Sequence, residues 1–379
     1  MKTPDIAIIG AGPVGMALAL ALQGGKHSVV LIDARGRGAS RQDPRVLALA
    51  HGTRLTLERL GVWEHLPTTA IRHIHISQQG GFGRTTLDEQ DYAIDGLGHV
   101  VRAGDLAAAL DDAVSAAGIP VIDHCQAEVD TELHGRVLLH RNHATEALDA
   151  RLVVCAEGGM RADDPAIRVR DYGQHAVICM ATPAEPHGHT AYERFTPNGP
   201  VALLPCGTDF AVVHTAAPEQ ADAWLALDDA AYLAELQRAF GQRVELVATS
   251  PRERFPLQLR VRHTPVAERQ VWLGNAAQTL HPVAGQGFNL ALRDVWALAQ
   301  RIQSAKDPGD AQVLAAYLRD RRLDRASTVG FTDTLVRLFS NDLPPLRGLR
   351  GLGLLALDLA PPLRHFVAKR MMFGARAWP

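Results

Sequence analysis

Gly10-Ala11-Gly12-Pro13-Val14-Gly15 sets three glycines at the spacing that brings a main chain against a phosphate. Gly10 permits a tight turn, Gly12 lets the backbone approach a pyrophosphate, and Gly15 lets a helix pack closely on the strand before it. The helix that follows would offer unpaired N–H groups and a positive dipole end to that pyrophosphate. Asp33-Ala34 closes the next apolar run, where an acidic side chain accepts hydrogen bonds from an adenosine ribose. Together these residues predict dinucleotide binding. They fit FAD and NAD equally well.

The choice of flavin comes from residues 273–294, LGNAAQTLHPVAGQGFNLALRD. Gly274 and the small Ala276 and Ala277 allow close packing on a cofactor. His281-Pro282 turns the chain. Gly285-Gln286-Gly287 then opens a long helix whose N-terminus suits an anionic flavin ring. For His281 two readings stand: it positions substrate or flavin, or it is a turn residue bonding its own backbone.

Other chemistries find little support. There is no GxSxG elbow and no HExxH. The pairs His73/His75 and His187/His189 lack further ligands at metal-binding spacing, so no metal site is expected. Cys125, Cys155, Cys179 and Cys206 are scattered, with no CxxC, and read as small core residues of a reducing compartment. Tyr192, Phe195 and Phe210 fall on predicted strands, where core packing is the simpler reading and an aromatic pocket the other.

The elements that must position these residues follow from periodicity. Residues 5–9, 13–24 and 28–32 read as strand, helix, strand, a βαβ unit. Helices are predicted over 45–60, 103–117, 228–240, 287–304 and 310–339. Strands are predicted over 71–77, 119–123, 127–132, 136–140, 151–156 and 270–273. Between 172 and 260, short alternating segments at 176–181, 189–195, 201–205 and 209–215 are separated by Pro and Gly, which suits an antiparallel sheet. The expected fold class is α/β: a Rossmann-type dinucleotide domain (1–171 and 263–340), an inserted, mostly antiparallel β-sheet substrate domain (172–262) and a C-terminal basic amphipathic helical segment (341–379).

The chain of 379 residues carries 39 basic and 41 acidic side chains, a net charge of −2. That balance gives no field to recruit nucleic acid. With 47% hydrophobic residues the chain is globular in composition, and it has no stretch suited to a transmembrane helix. Residues 1–9 lack the basic region and cleavage site of a signal peptide, so a cytoplasmic location is expected.

On GNAAQTLHPVAGQGFNLALRDV, with DPRVLAL at 43–49, GVW at 61–63 and FTDTLVRLF at 331–339, the chain resembles the single-component FAD-dependent aromatic hydroxylases, in particular their ubiquinone-biosynthesis branch. The resemblance spans nearly the whole chain. It implies FAD held by Gly10, Gly12, Pro13, Val14, Gly15, Asp33, Ala34, Arg45 and Arg102. It also implies FAD contacts from Gly274 and from Asn275, where many relatives carry aspartate. Pro282, Ala284, Gly285, Gln286, Gly287, Phe288 and Asn289 would surround the isoalloxazine. His281 and Pro282 would position the reactants, and no general base can be identified. NADPH or NADH would serve as a transient electron donor, which accords with the lack of a second GxGxxG. Reduced flavin and O2 would form a hydroperoxide that attacks a polyprenylated phenol. Residues 156–161, AEGGMR, depart from the family's ADG motif, which puts donor use in doubt. Two other readings stay open: a hydroxylase of a soluble aromatic metabolite, and a non-catalytic FAD-binding subunit of a quinone-biosynthesis complex. The leucine-rich, basic residues 344–379 suggest peripheral contact with the inner face of the cytoplasmic membrane.

Overall fold

The structure, a computed structural model, describes residues 3–160, 164–339 and 344–374. Its centre is a sheet of six strands in the order Val266–Ala267, Gln270–Trp272, Leu152–Cys155, Ile6–Ile9, Val29–Ile32, Val121–Ile122. All neighbours are parallel except the first two. The chain leaves the first strand toward Val29–Ile32 and later returns on its other side at Leu152–Cys155. That reversal opens a crevice at the carboxyl end of Ile6–Ile9, beside Gly10.

These strands are apolar throughout because both faces are covered. Helices Pro13–Ala21, Ala103–Ala116 and Gln286–Ser304 bury Ile6, Ile8 and Leu31 on one face. A three-stranded antiparallel meander, Gln126–Val129, Arg136–Arg141 and Ala144–Asp149, covers Ala7, Val30 and Val153 on the other. Each fully buried Ile or Leu contributes about 1.5–3 kcal/mol of transfer free energy.

A second, nine-stranded sheet is built around the long strand Ile167–Pro183 and the meander Thr190–Thr196, Gly199–Cys206, Asp209–Ala216. It is antiparallel but for one pairing, Thr190–Thr196 with His73–Gln78. It also recruits Arg84–Asp88, so it draws on residues well before 172. One face is closed by two helices, Pro218–Ala226 and Asp229–Phe240, through Trp224, Tyr232, Leu236 and Phe240. The first of these helices was not foreseen. Its proline sits in the first turn, where the missing N–H costs nothing.

The expected helix over 45–60 needs correction. Val46–Ala50 is a strand, paired antiparallel with Gly98–Arg102, and the helix begins only at His51. VLALA has ample helix propensity, but the paired edge and a side-chain acceptor on the Ala50 N–H override it.

The C-terminal segment forms two helices, Pro344–Leu359 and Pro361–Phe373. Ala368 and Met372 of the second bury against Leu97. Arg376, counted with the basic tail, lies outside the described residues.

Candidate active site

Gly10 has φ +105°, and a Cβ there would stand 2.6 Å from the Ala156 carbonyl carbon and oxygen, so the turn admits only glycine. A methyl at Gly15 would collide with the Gly10 carbonyl oxygen. At Gly12 the same methyl would meet nothing within 4 Å. Gly12, expected to let a pyrophosphate approach, is thus the glycine that faces open space, at the start of helix Pro13–Ala21, which has no side-chain cap. Its first N–H groups are left to a ligand.

Asp33 accepts from the Ala11 N–H at 2.8 Å, which fastens the glycine turn to the second strand. It also accepts from the Arg35 N–H at 2.8 Å and the Arg35 guanidinium at 3.2 and 3.3 Å. From there a groove is lined by Arg35, Ser40, Arg41, Asp111 and Asp123. Arg35 and Arg41 at this groove were not singled out from sequence, although Arg35 stands two places after Asp33. Ala34 is exposed beside the groove.

Arg45 and Arg102 come together across paired strands, with the Ala103 N–H donating to the Arg45 carbonyl at 2.8 Å. Both are exposed, and the Arg45 guanidinium grips Asp43 at 2.6 Å.

The second run closes on the first. A Cβ on Gly274 (φ +58°) would lie 3.0 Å from a Val14 methyl, so the two loops touch. Asn275 is exposed at the crevice, while Ala276 and Ala277 are buried. Pro282 is exposed, and the turn Val283–Gly285 leads into helix Gln286–Ser304, again with no side-chain cap. A methyl on Gly287, like one on Gly12, would meet nothing within 4 Å. Phe288 instead packs on the core.

Two residues expected around the ring face inward. Asn289 is 1% exposed and spends its amide within the chain. Its Oδ1 accepts from the Ala50 N–H at 2.8 Å and the Thr53 hydroxyl at 2.7 Å, and its Nδ2 donates to the Ala48 and Gly285 carbonyls. It locks the turn to strand Val46–Ala50 and has no side-chain capacity left for a ligand. Gln286 is also buried, with its Nε2 donating to the Met371 carbonyl.

His281 meets its turn reading, and it leaves one ring nitrogen over. It is 1% exposed, and its Nδ1 accepts from the Val283 N–H at 3.1 Å, as a turn residue does. The neutral ring therefore carries its proton on Nε2, and that buried N–H has no partner. Burial pushes its pKa down to about 4, so it stays a neutral donor at physiological pH. Tyr172 stands edge-on to it at 5.5 Å and donates to Asp333 at 3.0 Å.

Glu157 sits beside the Gly10 turn, at the end of strand Leu152–Cys155. Burial raises its pKa, against the pull of Arg262. The four cysteines are all buried, and burial pushes Cys155 up to about 12, so they are core residues and not nucleophiles.

Two uncapped helix ends with open glycines, an acid at the end of the second strand, a groove beside it and a sheet facing the turn at His281 make a site whose residues fit FAD. The comparisons agree. A family model described as FAD binding domain matches residues 3–332. The chain is 33% identical to ubiquinone hydroxylase UbiL of Rhodospirillum rubrum, over 100% of this chain and 91% of that one. It is 28% identical to 3-demethoxyubiquinol 3-hydroxylase of Escherichia coli, over 96% and 97%. Among solved structures, p-nitrophenol 4-monooxygenase PnpA from Pseudomonas putida superposes with a TM-score of 0.78 at 15% identity, covering 99% of each chain. PqsL of Pseudomonas aeruginosa gives 0.75 at 21%, over 93% and 99%. The last two are likenesses of fold.

Proposed function

The chain belongs to the FAD binding domain family, in the branch of the ubiquinone-biosynthesis hydroxylases, and from that premise we propose how its residues carry out the hydroxylation of a polyprenylated phenol. The enzyme is an FAD-dependent aromatic monooxygenase of ubiquinone biosynthesis that uses O2, with NADPH or NADH as electron donor. The substrate is of the 2-polyprenyl-6-methoxyphenol type. The observation that supports the assignment of residues is the pairing of Gly12 and Gly287, two glycines with open space at two uncapped helix ends joined through Gly274 and Val14.

In this reading Gly12, Pro13, Val14 and Gly15 bind the pyrophosphate through N–H groups, and Asp33 takes the ribose, sharing its carboxylate with Arg35. Arg45 and Arg102 border the cofactor, and Asn275 reaches its ribitol. Pro282 to Gly287 line the ring through their main chain. Asn289 and Gln286 hold that line in place from behind. FAD, when bound, supplies oxygen activation and transfer. The protein orients the phenol, excludes water and offers the His281 Nε2–H to an anionic oxygen. Residues 172–262 serve as the substrate-covering part.

The test is coupling. NAD(P)H oxidation by the FAD-loaded enzyme should yield one hydroxylated 2-prenyl-6-methoxyphenol per nucleotide consumed. Tight FAD with no product from either nucleotide would favour the non-catalytic subunit, the reading that the AEGG departure supports.

Peripheral membrane contact fits a polyprenyl substrate, on altered grounds. Among the described basic residues of the tail, Arg350 is buried, Arg364 stands 3.7 Å from Asp91 and Arg370 donates to Ser327. The charge is largely committed to the fold. The apolar side is not: Leu349, Leu352, Leu359 and Leu363 are 60%, 55%, 72% and 46% exposed. Such a stripe would enter a bilayer by apolar burial more than by attraction to anionic lipid. No described helix is long and apolar enough to cross a membrane.

A further inference from the structure

We propose that Glu193 is the proton acceptor for the substrate's phenolic hydroxyl, a catalytic residue on the sheet face that covers the cofactor turn. This rests on the hydroxylase reading above.

Alternation along Thr190–Thr196 fixes where the side chain goes. Tyr192 and Arg194 point to the helix-covered face: the Tyr192 ring stands 5.5 Å edge-on to Phe240, and Arg194 Nε donates to the Ala239 carbonyl at 3.1 Å. Ala191, Glu193 and Phe195 therefore belong to the opposite face. Ala191 packs with Val46, Ile71 and Val100. Phe195 packs with Val283, the residue after Pro282, and stacks on Phe339 at 3.8 Å. Glu193 lies between them, over the ground bounded by strand Val46–Ala50 and the turn at Val283–Gly285. Its lateral neighbours in the sheet are Ile76 and the small Ala202.

Glu193 is the one acid of strand Thr190–Thr196, and its Oε1 is shut from solvent with no hydrogen-bond partner among the described residues. No ion pair among the described residues includes it. An unpaired buried carboxyl is expensive, and nothing in the fold is held by this one. Burial alone pushes its pKa up to about 8. A phenol near 10 finds a far better matched base there than in an ordinary carboxylate. The apolar residues around it suit the ring and the prenyl chain.

In the step itself the substrate O–H bond breaks heterolytically. The proton goes to the carboxylate form of Glu193, which grows in as pH rises through about 8, and the electron pair stays on the phenolate oxygen. No electron is gained or lost by the pair, and its total charge remains that of one anion. The phenolate feeds electron density to the ring positions ortho and para to it, which is where an electrophilic oxygen reacts.

The test compares FAD-loaded wild type with Glu193→Gln and Glu193→Asp. A 2-prenyl-6-methoxyphenol is added and the near-ultraviolet phenolate difference band is followed, with FAD content and far-ultraviolet circular dichroism as checks on folding. The expectation is a band in wild type and none in Glu193→Gln despite binding, with hydroxylation slowed about 100-fold or more. A more acidic, ring-fluorinated analogue should restore much of the rate in Glu193→Gln. Glu193→Asp, with its carboxylate withdrawn by one methylene, should retain a weaker band. Wild-type band and rate in both variants would overturn the assignment of Glu193. So would a wild type that hydroxylates without ionising the bound phenol, and the hydroxylase reading would survive in either case. A wild type that neither binds nor hydroxylates the phenol would overturn that reading, and the assignment with it.

Discussion

Gly12 and Gly15 stand three residues apart in one motif and pay for a side chain in different currencies. Gly15→Ala drives a methyl into the Gly10 carbonyl, a backbone collision that should cost the apoprotein on the order of 3 kcal/mol or more. Gly12→Ala meets open space, so the apoprotein should melt unchanged while FAD affinity falls about 100-fold. Thermal melts of both apoproteins and FAD titrations check the pair; equal melting losses would contradict the placement of Gly12 at the pyrophosphate. Glu193 gives a prediction with a sign. Its pKa is raised from 4.5 to about 8, so between those values the folded chain holds more protons than the unfolded one. Stability is fully present below 4.5 and lost as pH rises through 8. Relative to wild type, Glu193→Gln should therefore gain on the order of 1–3 kcal/mol across that window and level off above it. A difference that stays flat from pH 5 to 9 would contradict the burial of this carboxyl. The glycines were legible in the sequence because their spacing is set by the turn and by the helix that packs on it. Glu193 was not, because AYERF carries polar and aromatic residues on both parities, and only the packing of Tyr192 on Phe240 shows which side is which.

At the scale of elements, what sequence hides is pairing. VLALA reads as the start of a helix until Gly98–Arg102 is seen beside it. Asn289 reads as a flavin contact until the strand that uses its Oδ1 is in place. Asn289→Ala removes four hydrogen bonds at a buried junction of strand, turn and helix, and should lower stability by about 2–4 kcal/mol and weaken FAD binding together. Chemical denaturation of the apoprotein isolates the first effect. The tail shows the same lesson: its arginines looked like a charged face, yet three of them are spent on the fold while leucines stay exposed. Leu352→Asp with Leu359→Asp should cut binding to neutral phosphatidylcholine vesicles several-fold, with little dependence on salt. Unchanged partitioning would remove the basis for membrane contact.

Across the whole molecule, the proposed cofactor site takes one half from the first sheet, and the second sheet covers the other. The seam is stiffened by a buried ionic network. Arg321 joins Asp294 at 2.6 Å and Asp324 at 2.5 Å, Arg293 joins Asp324 at 2.8 Å, and Gln278 donates to Asp294 at 2.8 Å. This ties helices Gln286–Ser304 and Ala311–Phe339 to the chain just before His281. Arg321→Met leaves the buried Asp294 carboxylate without its paired cation and Asp324 with Arg293, and should cost about 3–5 kcal/mol. The βαβ start, the flavin run and the sheet-rich middle could all be read from periodicity and spacing. The recruitment of His73–Gln78 into the second sheet, with Arg84–Asp88 following as its antiparallel neighbour, could not, because parallel pairing of the distant Thr190–Thr196 leaves no local mark. The central claim is that this chain reduces its flavin for the sake of a phenol. The most direct test is anaerobic bleaching of the bound FAD by NADPH and by NADH, with and without a 2-prenyl-6-methoxyphenol, followed by admission of air. The account predicts bleaching that the phenol accelerates, then hydroxylated product once oxygen enters. Bound FAD that neither nucleotide reduces, with or without phenol, would contradict it.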